Sequence, residues 1–354
     1  MKKLFLSLSL LAGLFFFNAC TTDVELYSDY KDIPIIYGLL DASQDTNFIR
    51  INRAFSGSND NHINAAEVSL IADSSNYPGK LRAYIVEYVQ GYGGHYQPTG
   101  NTIDLDTITI HDKEEGVFYA PDQKVYWTDA PIHVNTAAAK YKYKLLVNRG
   151  NDTITSETGV VGGEGFKIVT ESLGFMAEEN NTSSQVKFTL ADNAVFYDIK
   201  MEFYYRESVN GGPMTDKKVT YSFGVKTLDN LEQENSRVYF VNYSKNTLFN
   251  LLEEAIGGDT VINENTPNVV RYINYLDDEG KKPMKIFLSA GSDELYNYIQ
   301  INSQTGYAQT VPDYTNINGG YGVFSSRVNI TKEVSVSAAT MRDLYGKPWG
   351  FVQQ

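Results

Sequence analysis

The sequence predicts a mainly β protein built as two β-sandwich-like domains, and three observations lead to this prediction. Short apolar segments with period-2 alternation recur at intervals of about ten residues, which is typical of antiparallel strands in a sandwich. Aromatic residues are mostly Tyr and Phe, 26 and 18 against 2 Trp, and both are favoured in strands. Only one or two short helices are predicted, all in the second half. The first sandwich is expected to be immunoglobulin-like or carboxypeptidase-regulatory-like.

The first twenty residues predict a bacterial lipoprotein leader. Two lysines precede an apolar run over residues 4–17, and Cys20 follows a small residue. Because this run is shorter than the ~20 apolar residues of a spanning helix, it is typical of a secretory signal. We therefore expect a signal peptide over residues 1–19, a lipid on Cys20 that attaches the protein to the membrane, and a tether over residues 20–32. The alternative is an ordinary signal peptide with an incidental cysteine.

Residues 33–161 are predicted to form the N-terminal β-sandwich. Its predicted strands are residues 33–40, 48–55, 66–72, 81–89, 103–110, 116–119, 124–127 and 140–147. The last of these alternates apolar residues with three lysines, which predicts one buried and one solvated face. Residues 90–100 are rich in glycine and are predicted to be a loop.

A glycine-rich stretch over residues 160–165 is the predicted domain boundary, and residues 166–354 are the predicted C-terminal β-rich domain with minor α content. Its strands are predicted over residues 195–205, 217–226, 269–276, 285–289 and 327–336. Alternation in the second of these directs Val219, Tyr221, Phe223 and Val225 inward.

Two helices are predicted in the C-terminal domain. The apolar spacing from Leu248 to Ile256 has the period of a helix, and two glycines follow it. Ser292, with Asp293 and Glu294 after it, predicts the start of a second helix, because a capping hydroxyl and acidic residues stabilise a helix N-terminus.

Several segments, taken in chain order, carry a resemblance to a known family: IPIIYGLLD, RINRAF, AAEVSL, AKYKYKLLVNRG, SDELYNYIQI and PDYTNINGGYGVFSS. They resemble a Bacteroidota family of outer-membrane lipoproteins of unknown function. The most specific segment is NINGGYGVF, in which Gly319, Gly320 and Gly322 predict positive φ or close backbone approach. The resemblance implies a role in nutrient uptake beside a TonB-dependent β-barrel receptor, and it brings no catalytic residues.

Charge and location narrow the possible partners. The formal net charge of −13 argues against a nucleic-acid partner, because phosphate binding needs a basic surface. Asp23 and Glu25, just after Cys20, resemble the acidic signals that send such lipoproteins to the cell surface, and a merely solvated tether is the alternative. The expected location is the outer membrane, with exposure at the cell surface as the finer expectation.

No motif predicts catalysis, a cofactor or a metal site. The sequence contains no G-x-S-x-G elbow, and its four histidines lack metal-ligand spacing. Asp104 and Asp106 alternate onto one face of a predicted strand, which leaves glycoside hydrolysis as the weakest functional hypothesis. The acidic turn over residues 277–280 lacks the alternating oxygen ligands of a calcium loop. The protein is therefore predicted not to be an enzyme.

Tyrosine-dense loops are the remaining candidates for binding a glycan, a peptide or a protein partner. They carry Tyr92, Tyr96, Tyr307, Tyr314 and Tyr321. Exposed tyrosines offer rigid contact area with a polar tip, although the same residues could simply cover the core. The favoured function is a lipid-anchored accessory of a TonB-dependent receptor. The alternative is a structural or adhesive surface protein that exchanges a strand through residues 334–354 or through its N-terminal strand.

Overall fold

The computed structural model describes residues 33–54, 76–77, 79–111, 122–177, 182–256, 268–273, 282–303 and 314–353. Strands account for 55% and helices for 13% of the structure, which confirms the predicted fold class. The leader, Cys20 and the tether lie outside the described residues. So do the strands predicted over residues 66–72 and 116–119 and the acidic turn over residues 277–280.

The strands form a ten-stranded, a four-stranded and a three-stranded sheet. The strands of the N-terminal half are β1 (Ile33–Leu40), β2 (Asn47–Ala54), β3 (Arg82–Gln90), β4 (Tyr96–Asp104), β5 (Asp106–Ile110), β6 (Gln123–Thr128), β7 (Tyr141–Arg149) and β8 (Asp152–Gly159). The strands of the C-terminal half are β9 (Ser172–Leu173), β10 (Ser183–Thr189), β11 (Phe196–Val209), β12 (Thr215–Thr227), β13 (Glu232–Gln233), β14 (Val238–Ser244), β15 (Val269–Ile273), β16 (Met284–Gly291) and β17 (Tyr321–Val336). The described helices are α1 (Thr247–Ile256), α2 (Asp293–Ser303) and α3 (Ala338–Gly346).

The first sandwich packs the four-stranded sheet, ordered β4-β3-β7-β8, against one half of the ten-stranded sheet, ordered β17-β1-β2-β6-β5. Its core is a single cluster that takes Tyr143 and Ile85 from the first sheet and Ile36 and Tyr126 from the second, all fully buried. Burial alternates along β7 as predicted, with every second side chain in this core.

The second sandwich uses the other half of the ten-stranded sheet, ordered β12-β11-β16-β17, with β15 paired to β11. The three-stranded sheet, ordered β10-β14-β13, packs against it together with α1 and α3. Tyr197 and Ile199 of β11 meet Phe188 of β10 and Leu252 of α1 in this second core, and all four are fully buried. Alternate residues of β11 enter this core, from Tyr197 to Tyr205.

The last strand, β17, belongs to both sandwiches. Its first part pairs in parallel with β1, and its second part pairs antiparallel with β16. Accordingly, Phe324 lies in the first core, whereas Val328 and Val334 lie in the second. The chain therefore returns from the range 166–354 to complete the sandwich formed by residues 33–161.

The junction between the sandwiches is held by buried hydrogen bonds. Val160 belongs to the first core and Val161 to the second. The Val161 amide donates to Ser326 Oγ at 2.9 Å, and this hydroxyl donates to the Leu40 carbonyl at 3.0 Å. One side chain of β17 thus links the interdomain segment to β1.

The glycines of the NINGGYGVF segment are required by the approach of β17 to β1. Gly319 and Gly322 have φ values of 88° and 106°. A Cβ on Gly322 would lie 2.0 Å from the Ile36 carbonyl oxygen, and one on Gly320 would lie 2.8 Å from that of Pro34. The prediction of positive φ or close backbone approach is therefore confirmed at all three glycines.

The region predicted as a loop over residues 90–100 is instead the turn of a hairpin. β4 begins at Tyr96 and pairs with β3, and seven of its nine side chains are exposed. The prediction was wrong because a strand this exposed shows no apolar alternation. Asp104 ends β4 and Asp106 begins β5, which belongs to another sheet, so the two acids do not share a strand.

Val225 of β12 is 53% exposed, whereas it was predicted to point inward. Ile199 pairs with Gly224 but Lys200 pairs with Ser222, so β12 carries one extra residue at this point. Such a bulge reverses the alternation beyond it. Gly224, with a φ of 70°, supplies the conformation that the bulge needs.

Helix α3 was not predicted. Ser337 caps it by accepting a hydrogen bond from the Thr340 amide, and Leu344 packs into the second core. Beyond α3, the chain pairs with β15 through Phe351 and Arg271. Residues 334–353, proposed for strand exchange in the adhesive hypothesis, are thus folded into the second sandwich.

Candidate functional site

The candidate site lies where α2 packs over the outer face of β1 and β17. The start of α2 is fixed to β17, because the Ser292 amide donates to the Ser326 carbonyl at 3.1 Å and the Ser292 and Ser325 hydroxyls share a hydrogen bond of 2.7 Å. The Ser292 hydroxyl also bonds to Glu294. Acidic residues in the first turn further favour the helix, as predicted.

β1 presents alternate residues to this outer face. Its even-numbered side chains enter the first core, so Tyr37 points outward and is 40% exposed. The Tyr37 ring meets the Tyr298 ring of α2 edge to face, with centroids 5.9 Å apart and planes at 69°. Such pairs are stabilised by the quadrupoles of the two rings, which fixes both rings in place.

These two rings form one wall of a groove of about 380 Å³, which we call the aromatic cleft. Tyr314 and Tyr321 also line it, and Tyr321 is 48% exposed. Ile33 and Ile35 of β1 form its apolar floor, and Tyr321 lies beside Ile35 in the sheet register. Aromatic faces above an apolar floor can stack on the C–H face of a sugar or on an apolar side chain.

The five tyrosines predicted for binding do not form one site. Tyr314 and Tyr321 come together in the aromatic cleft. Tyr96 lies on the β3–β4 hairpin, where Lys142 Nζ stands 5.1 Å from its ring centroid. The backbone of Tyr92 lies in a short 3-10 turn of that hairpin. Tyr307 lies outside the described residues.

Tyr37 and Tyr298 are the cleft residues that the sequence did not identify as binding residues. Tyr37 sits in a nearly continuous apolar run, which gives no signal for the face to which each residue points. Tyr298 falls within the second predicted helix. Only the tertiary structure shows that its ring contacts the exposed ring of Tyr37 on β1.

The start of α2 brings two carboxylates close enough to Tyr314 to affect its hydroxyl. Burial, together with the carboxylates of Glu294 and Asp293, raises the pKa of the Tyr314 hydroxyl, although a hydrogen bond with Asn297 opposes this shift. Tyr314 therefore stays protonated at neutral pH and offers a hydroxyl to a bound ligand.

A further groove, of about 730 Å³, lies in the second sandwich between α3 and β15. It is lined by Ile273, Met341 and Val352, and Tyr345 is its one aromatic side chain. The aromatic cleft, in contrast, combines four tyrosines from three parts of the chain. It is therefore the stronger candidate for binding.

The tightest cluster of titratable groups lies inside the first sandwich. Glu87 is 3% exposed and accepts hydrogen bonds from the Tyr143 hydroxyl at 2.6 Å, from Thr99 Oγ1 at 2.9 Å and from His133 Nδ1 at 2.5 Å. Burial opposes ionisation, but these donors and the His133 charge hold the pKa of Glu87 below its usual value. Burial and the Glu87 hydrogen bond raise the pKa of Tyr143.

This Glu87 cluster positions strands and gives no catalytic arrangement. Because a carboxylate only accepts hydrogen bonds, His133 Nδ1 carries the proton, and the ring stacks on Tyr141 at 5.2 Å. Within the part of the chain that the structure describes, no Ser or Cys side chain bonds to His133. Among the same residues, no three His, Cys, Asp or Glu side chains gather to hold a metal ion.

No helix in the described ranges combines the length and the apolar character that crossing a membrane requires. In comparisons with known proteins, no protein-family model and no curated sequence matches this chain. The aromatic cleft and the sequence features of the N-terminus are therefore the features that bear on function.

Proposed function

We propose that this protein is a non-enzymatic, lipid-anchored accessory of a TonB-dependent receptor that captures a nutrient at the outer membrane. The aromatic cleft is the observation that carries the proposal. It joins exposed tyrosine faces to an apolar floor, which is the composition of a site for a small glycan or peptide ligand. The resemblance to outer-membrane lipoproteins supplies the receptor as the expected partner.

The position of β1 at the aromatic cleft supports this proposal. Ile33 is the first residue of β1 and also lines the aromatic cleft. The tether of residues 20–32 spans at most ~45 Å when fully extended. A lipid on Cys20 would therefore hold the cleft near the membrane plane, where a receptor channel opens. Diacyl or triacyl modification provides the two or more chains that stable anchoring requires.

The adhesive alternative has less support. Strand exchange through residues 334–354 would have to take the end of β17, with Val334 and Val336, out of the second core and detach α3. Exchange through β1 would break pairings with both β2 and β17. Neither segment leaves the open groove that donor-strand exchange uses.

Cys20→Ser tests membrane attachment, and purification of the native protein tests the receptor partner. The native protein should sediment with outer membranes and retain a β-barrel receptor when purified in detergent. Cys20→Ser should move the protein to the soluble fraction with an unchanged circular dichroism spectrum. A variant that still sediments contradicts lipid anchoring, and repeated purification of the native protein without a barrel contradicts the accessory role.

Ligand capture is tested on an array of oligosaccharides and peptides. Tyr37→Ala combined with Tyr298→Ala should reduce binding at least tenfold, since both stacking faces are removed. Tyr96→Ala, which removes a tyrosine from the distant hairpin, is the matched control and should bind like the unaltered protein. Equal binding by all three proteins would remove the cleft from the proposal.

A further inference from the structure

A second groove continues from the aromatic cleft on the other side of the Tyr37–Tyr298 contact. Its volume is about 630 Å³, and Arg327 of β17 lines it, so we call it the Arg327 groove. Phe48 and Ile299 provide apolar surface in it and are 52% and 44% exposed. The two grooves share Tyr37 and Tyr298, so an extended ligand could occupy both.

Arg327 is an exposed cation without a partner in the described part of the chain. Other arginines are paired: Arg206 bonds to Asp216 at 3.2 Å, and Arg271 bonds to Glu207 at 2.6 Å. The protein has 43 acidic and 30 basic side chains, so a shortage of acids does not explain an unpaired arginine. The guanidinium is left free to bind an anionic group from outside.

The Asp41 carboxylate, which lies in the lining of the same groove, does not neutralise Arg327. Asp41 is the only acid among the described residues that line the Arg327 groove, and it is 3% exposed. Its oxygens accept hydrogen bonds from the Ser43 amide at 2.9 Å, the Ser43 hydroxyl at 2.5 Å and Asn329 Nδ2 at 2.9 Å. Asp41 is therefore committed to shaping the turn after β1.

The remaining lining favours a saccharide. Gln44 and Thr46 bring an amide and a hydroxyl to the rim of the groove, where they can bond to sugar hydroxyls. The exposed rings of Tyr37 and Phe48 can pack against the C–H face of a pyranose. A guanidinium binds a carboxylate or a phosphate with two parallel hydrogen bonds, and a carboxylate is the acidic group that a uronic acid carries on its own ring.

We propose that the Arg327 groove binds an acidic saccharide, with a hexuronate carboxylate on Arg327 and the adjacent sugar ring against Tyr37 and Tyr298. This proposal rests on the proposed function and names the class of ligand for the same site. On a protein of strongly negative charge, Arg327 supplies the local positive charge that such a ligand needs.

The test uses the full mature chain and isothermal titration with two matched probes. Trigalacturonate carries the carboxylates, and its fully methyl-esterified form has the same rings without charge. The native protein should bind the acid at least tenfold more tightly than the ester. Arg327→Gln should lose this preference by weakening acid binding while leaving ester binding and the melting temperature unchanged.

Arg342→Gln is the matched control, because Arg342 is also exposed but lines the distant groove of the second sandwich. It should leave both affinities unchanged. The proposal is overturned if the native protein binds acid and ester equally, if it binds neither, or if Arg327→Gln retains the preference. Equal binding of acid and ester that is lost with Tyr37→Ala and Tyr298→Ala but retained by Arg327→Gln would overturn this proposal and leave the proposed function standing.

Discussion

Two tyrosine-bearing regions of the first sandwich resemble each other in sequence and differ in the structure. The hairpin region, residues 90–100, and the cleft segment, residues 314–322, both combine tyrosines with glycines. In the hairpin, seven of the nine β4 side chains are exposed, and the Tyr96 ring lies 5.1 Å from Lys142 Nζ of β7. In the cleft segment, the tyrosines face β1 and α2 across a groove. A tyrosine-rich loop thus becomes a concave site only where a second element covers the same face.

The glycines of the two regions also differ in how closely other parts of the chain approach them. Gly93 has a φ of 82°, but a Cβ there would meet only His95 Cδ2 at 3.7 Å. Gly322 has a φ of 106°, and its Cβ would collide with the backbone of Ile36. The hairpin glycine satisfies a local turn, whereas the cleft glycine allows two strands from opposite ends of the chain to pair.

The largest expected effect comes from replacing Gly322. Gly322→Ala should lower the free energy of unfolding by at least about 3 kcal/mol, because both backbone strain and a main-chain collision are introduced. Gly93→Ala should cost about 1 kcal/mol, from the unfavourable φ alone. Urea denaturation of the mature chain measures both values. Similar losses in the free energy of unfolding for the two variants would contradict this difference between the two regions.

A smaller effect is expected from Glu87, which anchors the hairpin through Thr99. Glu87→Gln should cost about 2 kcal/mol at pH 7, because it removes a buried, charge-assisted acceptor of three hydrogen bonds. The folded pKa of Glu87 is lowered below 4.5, so the carboxylate stabilises the fold above that pH. This contribution is lost as the pH falls through the lowered pKa.

The difference between the native protein and Glu87→Gln should therefore shrink when urea denaturation is repeated near pH 3. Glu157→Gln is the control, since its carboxylate is 56% exposed and pairs with Lys142 on the surface. It should change the stability by less than about 0.5 kcal/mol. A Glu87 effect that persists unchanged in acid would show that packing and not charge holds the hairpin.

Much of the fold could be predicted from the sequence, because strand alternation is a local property. The buried faces of β7 and β11 follow directly from every second residue. The prediction was wrong at Val225, where a bulge adds one residue to the pairing, and in β4, which buries too little to show a pattern. Helix α3 was missed although Ser337 at its start is a recognisable cap.

The candidate site could be predicted only in part. Tyr314 and Tyr321 were identified because they lie in a tyrosine-dense, glycine-bearing stretch that was predicted to be a loop. Tyr37, Tyr298 and Arg327 were not identified, because their joint position depends on β17 pairing with β1 while α2 crosses both. No local pattern records a contact between residues so distant along the chain.

The pairing of β1 with β17 also sets the order in which the molecule can fold. The Ser326 hydroxyl bonds to the Leu40 carbonyl across 286 residues of chain. Closing so long a loop is entropically costly, and contacts at this separation form slowly. Until β17 is synthesised, one edge of β1 stays open to pairing with other chains. The N-terminal sandwich is therefore the first to be made, but it stays incomplete until β17 has been synthesised.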